Sequence, residues 1–282
     1  AAVQTHNWTL GANVTYNPSP VTQFSGIAAS YVFPTRGSNN AANKATAQQL
    51  ESLPGNPSNN PATFEIWFKP NNLAGGNQVL WESGGGGDGT SFTIRNGNTL
   101  RFTAKDGGSN LVIETPLTSA LAGDFIQALA VYDRNNPNPQ DTLRLYINGV
   151  EVAGSPVTNN NVNDWAGGDK SGLGGRNGAA GGTGAGVNLN FGTFAGEIAI
   201  VRFYESPLAD DDVQRNFDVV AGDKTFFVDN GDNLSGTGTV NADVNTLEPI
   251  LAFLGATDNA GDAIAVGLED DLAVAVAGED EA

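Results

Sequence analysis

Phe64-Glu65-Ile66-Trp67-Phe68-Lys69-Pro70 is the stretch from which the rest of the chain is read. Phe64, Ile66 and Phe68 alternate with Glu65 and Trp67, so in an extended strand they share one face. Lys69-Pro70-Asn71-Asn72 then ends the strand with turn formers. Outward from this point the same period-two texture recurs, broken by Gly, Asn, Asp and Pro. Gln78-Val79-Leu80-Trp81-Glu82 precedes a glycine run at 84–87. Ser91-Phe92-Thr93-Ile94-Arg95 and Leu100-Arg101-Phe102-Thr103-Ala104 flank the tight turn Asn96-Gly97-Asn98. Phe125 to Tyr132 and Thr142 to Ile147 lie either side of an Asn/Pro-rich loop, and Asn148-Gly149 turns into Val150-Glu151-Val152-Ala153. Glu197 to Tyr204 completes the set. The pattern predicts an all-β fold, two antiparallel sheets packed as a β-sandwich.

One helix is expected over Ser206 to Phe217. Ser206 suits its cap, Pro207 its first position, and Asp210, Asp211 and Asp212 the positive end of its dipole. Leu208, Val213 and Phe217 should pack on the sandwich. Residues 154–196 read as a long Gly/Asn-rich loop, of a length usually found in functional or mobile segments.

Apolar residues make up 39% of the 282, enough for a proper core. They fall in short runs, far from the roughly 18–20 consecutive apolar residues of a membrane helix, so no membrane span is expected. There is no cysteine and no methionine. The beginning Ala1-Ala2-Val3 fits a chain from which a signal peptide has been removed, and secretion to the extracellular space or cell surface is expected. The net charge of −18 is uneven. From Asp223 onward thirteen acids face one base, Lys224, giving −12; residues 1–222 carry the other −6. Such a field repels nucleic acid and anionic membranes.

Taken in order, Phe64 to Pro70, Val79-Leu80, Ser91 to Phe102, Ala128 to Asp133, Leu143 to Gly149 and Phe194 to Leu208 resemble the laminin-G-like branch of the concanavalin A-like lectin and glucanase superfamily. The resemblance implies a jelly roll over residues 20–222, preceded by an extended segment 1–19 and followed by an acidic, strand-rich extension 223–282. Phe125-Ile126-Gln127 stands where that family commonly has Trp-His, keeping an aromatic core residue.

Because the same fold hosts β-glucan hydrolases, acid–base chemistry has to be tested. A retaining glycosidase needs two carboxyls about 5–5.5 Å apart. Glu197 and Glu205 share a strand face only at a separation of about 27 Å. The single histidine, His6, stands outside the core motif. No enzyme is expected. Calcium suits oxygen ligands on irregular loops, and Asp88, Asp164 and Asp169 are its candidates. For glycan binding, Trp165 and Asn163 of the Asn-rich loop are the candidates, whereas Trp67 and Trp81 belong to the core. Asn7-Trp8-Thr9, Asn13-Val14-Thr15 and Asn233-Leu234-Ser235 match the N-glycosylation acceptor pattern.

In the acidic extension, Leu272, Val274 and Val276 alternate with alanines along one strand face. Such a strand suits a sheet edge of another copy, and head-to-tail pairing of that kind builds open filaments. The leading expectation is a secreted, non-catalytic structural protein that self-assembles into a filament, sheath or surface layer. The competing one is a calcium-assisted adhesion module for extracellular polysaccharide.

Overall fold

The computed structural model describes residues 8–47, 61–71, 73, 76–85, 88–95, 98–106, 109–118, 124–133, 141–159, 162, 170–177, 186–188 and 190–222, and four strands beyond them. In chain order the strands begin with β1 Thr9–Leu10, β2 Thr15–Asn17, β3 Ser30–Phe33, β4 Ala45–Ala47, β5 Ala62–Pro70, β6 Gln78–Ser83, β7 Gly89–Arg95 and β8 Thr99–Asp106. They continue with β9 Ser109–Pro116, β10 Ile126–Asp133, β11 Asp141–Ile147, β12 Val150–Glu151, β13 Val157–Asn159, β14 Ser171–Leu173, β15 Gly192–Thr193 and β16 Gly196–Tyr204. Helix α1, Asp210–Ala221, is followed by β17 Thr225–Val228, β18 Gly236–Thr239, β19 Ala265–Glu269 and β20 Leu272–Val276.

Two eight-stranded sheets form a jelly-roll sandwich. The first runs β1-β4-β14-β6-β7-β8-β9, with β15 beside β6; the second runs β12-β11-β10-β5-β16-β3-β2, with β13 beside β11. Residues 1–217 make one compact unit and 218–282 another. In the second unit, β17 pairs with β18 and β19 with β20, both antiparallel.

Alternation builds the core as expected. Phe64, Ile66 and Phe68 of β5 meet Phe92, Ile94, Leu100 and Phe102 of the first sheet in one buried cluster. Phe64 stands 5.2 Å, ring to ring, from Phe102 and 6.3 Å from Trp81. Trp67 and Trp81 are both buried. Removing a ring such as Phe64 from a core of this kind costs about 3–5 kcal/mol. The Asn148-Gly149 turn has φ of 51° and 78°, the left-handed pair a tight hairpin requires. Asn96 and Gly97 of the other turn lie outside the described residues.

Three expectations are corrected. The 154–196 segment is not simply loop: it holds β13, β14 and β15, and β14 is inserted between β4 and β6. Helix α1 starts at Asp210, not at Ser206. Thr63 explains the delay, since its Oγ1 donates to the Ser206 carbonyl and accepts from the Leu208 N–H, holding Ser206 to Leu208 against β5. Finally, the register of β16 slips between Ile198 and Ile200, a bulge that breaks the shared face assumed for Glu197 and Glu205. Leu208 and Val213 nonetheless pack on Leu129, Val131 and Tyr146, and Phe217 stacks on Trp67 at 5.7 Å and 6°.

Candidate functional site

Both outer faces of the sandwich bury charged groups, and a rim strand exposes aromatic ones. On the second sheet, Glu65 projects outward from the middle of β5 and is 1% exposed. Its Oε1 accepts from Trp67 Nε1 and Gln127 Nε2, both at 2.8 Å. Its Oε2 accepts from Tyr204 OH at 3.0 Å and faces Arg202 Nη1 at 3.3 Å. Asn216 Nδ2 in turn donates to Tyr204 OH at 2.9 Å. Burial, followed by the charge of Glu65, pushes the Tyr204 phenol up to about 12. Gln127 extends the network: its Oε1 accepts from Gly149 N at 3.0 Å, tying the hairpin turn to the central strand. Every Glu65 oxygen is used in holding strands together, which makes this carboxylate structural.

At the margin of the same sheet, Glu197 accepts from Asn17 Nδ2 at 3.0 Å and Ser30 Oγ at 2.5 Å, and pairs with Lys69 at 2.5 Å. Burial pushes its carboxyl up, but the hydrogen bonds from Lys69, Ser30 and Asn17 outweigh it and hold the group below its usual range. A carboxyl so held is a poor general acid.

Tyr16 of β2 and Tyr31 of β3 are cross-strand partners. Their rings lie 5.6 Å apart, tilted by 58°, and are 60% and 39% exposed as residues. The register continues from Tyr31 to Ile198, an inward-facing position, yet at this margin the rings reach solvent.

The outer face of the first sheet is arranged differently. After β14 the chain folds back over its own strand, and Gly172 permits this: a Cβ there would lie 2.5 Å from the Gly175 oxygen and 2.6 Å from Asn177 N. The fold-back lays Arg176 and Asn177 between Lys44 and Glu82, and all four are buried. Asn177 N donates to Glu82 Oε2 at 3.0 Å, and Asn177 Nδ2 donates to the carbonyls of Gly84 and Lys170. Arg176 N donates to Asn39 Oδ1 at 2.9 Å, and Lys44 Nζ donates to the Arg176 carbonyl. Burial first, then the neighbouring Arg176 charge, pull the Lys44 ammonium below its ordinary value, while Glu82 opposes them. Yet Arg176 Nε and Nη1 are sealed from solvent with no acceptor, and Asn177 Oδ1 with no donor. Groups left so cost about 1–3 kcal/mol each, more when charged.

Farther along this face, Ser91, Thr93 and Thr103 are buried although they point away from the core. Gly186 lies against Thr103, while Val79, Val187 and Phe191 form a small apolar cluster of their own. Arg95 lies over the Phe191 ring at 5.0 Å. The chain thus covers the middle of this sheet with its own residues.

Of the sequence candidates, Asp88 is half-buried in the connection between β6 and β7. Among the described residues, no group of three or more His, Cys, Asp or Glu side chains is placed to hold a metal. Asn163, Asp164, Trp165 and Asp169 lie outside the described residues. Leu272, Val274 and Val276 lie in β20, paired with β19 of the same chain. The sequence reading missed Tyr16, Tyr31, Lys44, Arg176 and Asn177. A lone arginine inside a glycine-rich stretch, Gly174-Gly175-Arg176-Asn177, was the available signal.

Two antiparallel sheets packed as a jelly-roll sandwich define the class. The chain belongs to the concanavalin A-like lectin/glucanases superfamily, whose laminin-G model matches residues 39–214. No curated protein matches it. Among solved structures it is similar to a botulinum neurotoxin D/C binding domain in complex with rat synaptotagmin II, at 15% identity and a TM-score of 0.56. That match covers 76% of this chain and 47% of the other. The botulinum neurotoxin type G receptor-binding domain matches at 11% identity and a TM-score of 0.52, covering 76% of this chain and 46% of its own. The chain therefore spans less than half the length of these structures, and at such identities they share its fold. No helix among the described residues is long and apolar enough to cross a membrane.

Proposed function

We propose that this chain is a secreted, non-catalytic recognition module that binds an uncharged surface glycan through its rim strands. The observation that carries the reading is the exposed Tyr16–Tyr31 pair, a place where the apolar face of a sugar ring can pack on aromatic carbon. The net charge of −18 favours a neutral glycan over an acidic one. Solved relatives in fold are named as receptor-binding domains, which supports recognition over hydrolysis. Asn163 and Trp165 extend the same proposal as a second contact, and Asp88, Asp164 and Asp169 as a calcium site that assists it. Glycan-array binding that is lost in Tyr16→Ala/Tyr31→Ala, with the fold intact by circular dichroism, is the expected result. Binding unchanged in that variant and lost in Trp165→Ala would move the site to the Asn-rich loop. Calorimetric titration tests calcium, with no heat and no thermal shift counting against it.

A second reading, extracellular self-assembly into a filament, sheath or surface layer, is favoured by the β19–β20 hairpin. A lone two-stranded hairpin is marginal in water, so an added strand from another copy would stabilise it. Leu272, Val274 and Val276 are the contacts to test. Electron microscopy of the purified protein and of a 269–282 deletion separates the readings: filaments abolished by the deletion favour assembly.

A further inference from the structure

The fold-back after β14 seals two guanidinium nitrogens away from solvent without an acceptor among the described residues. Lys44 Nζ donates to the Arg176 carbonyl, so the ammonium and the guanidinium are neighbours, with Glu82 opposing their mutual repulsion. Arg176 is 7% exposed, its backbone N–H is taken by Asn39, and its carbonyl is taken by Lys44. Its Nε and Nη1 are the unmet donors. Glu82 Oε2 accepts from Asn177 N. A protein of net charge −18 that keeps an arginine buried with idle donors beside a buried lysine has positioned a cationic seat inside an acidic molecule.

We infer that this corner of the first sheet binds a small oxyanion, seated on Arg176 Nε and Nη1 beside Lys44. Guanidinium donors match the oxygens of sulfate, phosphate and carboxylate, and an ammonium adds charge without demanding geometry. The guest supplies acceptors to both nitrogens together with negative charge, which a water supplies only in part. Lys44 then gains an anionic neighbour, and its ammonium is favoured again. The site is independent of the Tyr16–Tyr31 rim, so either assignment stands without the other. The same oxyanion chemistry is offered by a free inorganic ion or by the acidic group of a sugar acid.

Binding is measured on the full chain by calorimetry and thermal shift with sulfate, phosphate, acetate and glucuronate, each against sodium chloride of equal ionic strength. The expected result is a saturable rise in Tm with at least one of them, weakened about tenfold or more in Arg176→Gln. Preference for sulfate or phosphate assigns a free ion, and preference for glucuronate a sugar acid. No rise beyond the chloride control, or one that survives in Arg176→Gln, overturns the proposal. Should that variant fail to fold, a wild-type crystal soaked in selenate decides. An anomalous peak at hydrogen-bond distance from the Arg176 guanidinium supports the site, and ordered water alone there overturns it.

Discussion

The two outer faces of the sandwich bury charge in opposite ways. Glu65 on the second sheet meets donors from Trp67, Gln127, Tyr204 and Arg202. Arg176 on the first sheet is sealed in with donors that meet nothing. A satisfied buried charge fixes strands to one another and belongs to the scaffold. An unsatisfied one costs stability, and a fold keeps it where something else offsets that cost. The contrast separates two charged clusters that composition alone treats alike.

The most severe way to break the contrast is Glu65→Ala. It strips the acceptor from donors on three strands and should destabilise by about 3–5 kcal/mol, read as a fall in the urea midpoint. Arg176→Met should do far less. Replacing a guanidinium with unmet donors by an apolar side chain is expected to fall within about 1 kcal/mol of neutral in oxyanion-free buffer. A loss as large as that of Glu65→Ala would show that the cation is satisfied after all and erase the distinction.

An alkaline titration sharpens the comparison further. The folded Tyr204 phenol is raised to about 12, whereas an unfolded tyrosine titrates near about 10. Its neutral form is therefore favoured in the fold. The associated stability is complete below the unfolded value and is lost as pH rises through the folded one. Lys44 runs the other way. Its lowered folded value means that the unfolded chain binds more protons between that value and about 10.4, so stability rises with pH across that window. Urea midpoints measured from pH 8 upward should show a smaller alkaline loss in wild type than in Lys44→Met, because only wild type retains the compensating lysine.

How much of this was legible depended on where each determinant lay in the chain. The alternation of Phe64, Ile66 and Phe68 is local, and it led directly to β5 and the sandwich. Asn148-Gly149 declared its turn because its left-handed backbone excludes most other residues. Strand β14 could not be read, since Ser171-Gly172-Leu173 is too short for a period and its glycine answers to the fold-back above it. The role of Glu65 was hidden for a related reason: its partners Gln127 and Tyr204 come from distant strands that only pairing brings together. Tyr16 and Tyr31 carry no local signal, and only the pairing of β2 with β3 places them side by side at a margin. Patterns within one segment were readable, and sites assembled from several were not.

The insertion of β14 between β4 and β6 also sets an order of events during synthesis. Both neighbours leave the ribosome long before residues 171–173 do, and each then carries an unmatched edge that can join a foreign chain. The first sheet closes only after a late, distant segment threads into its middle, the kind of long-range pairing that slows folding. A chain stopped short of residue 171 is accordingly expected to aggregate rather than persist as a smaller sandwich.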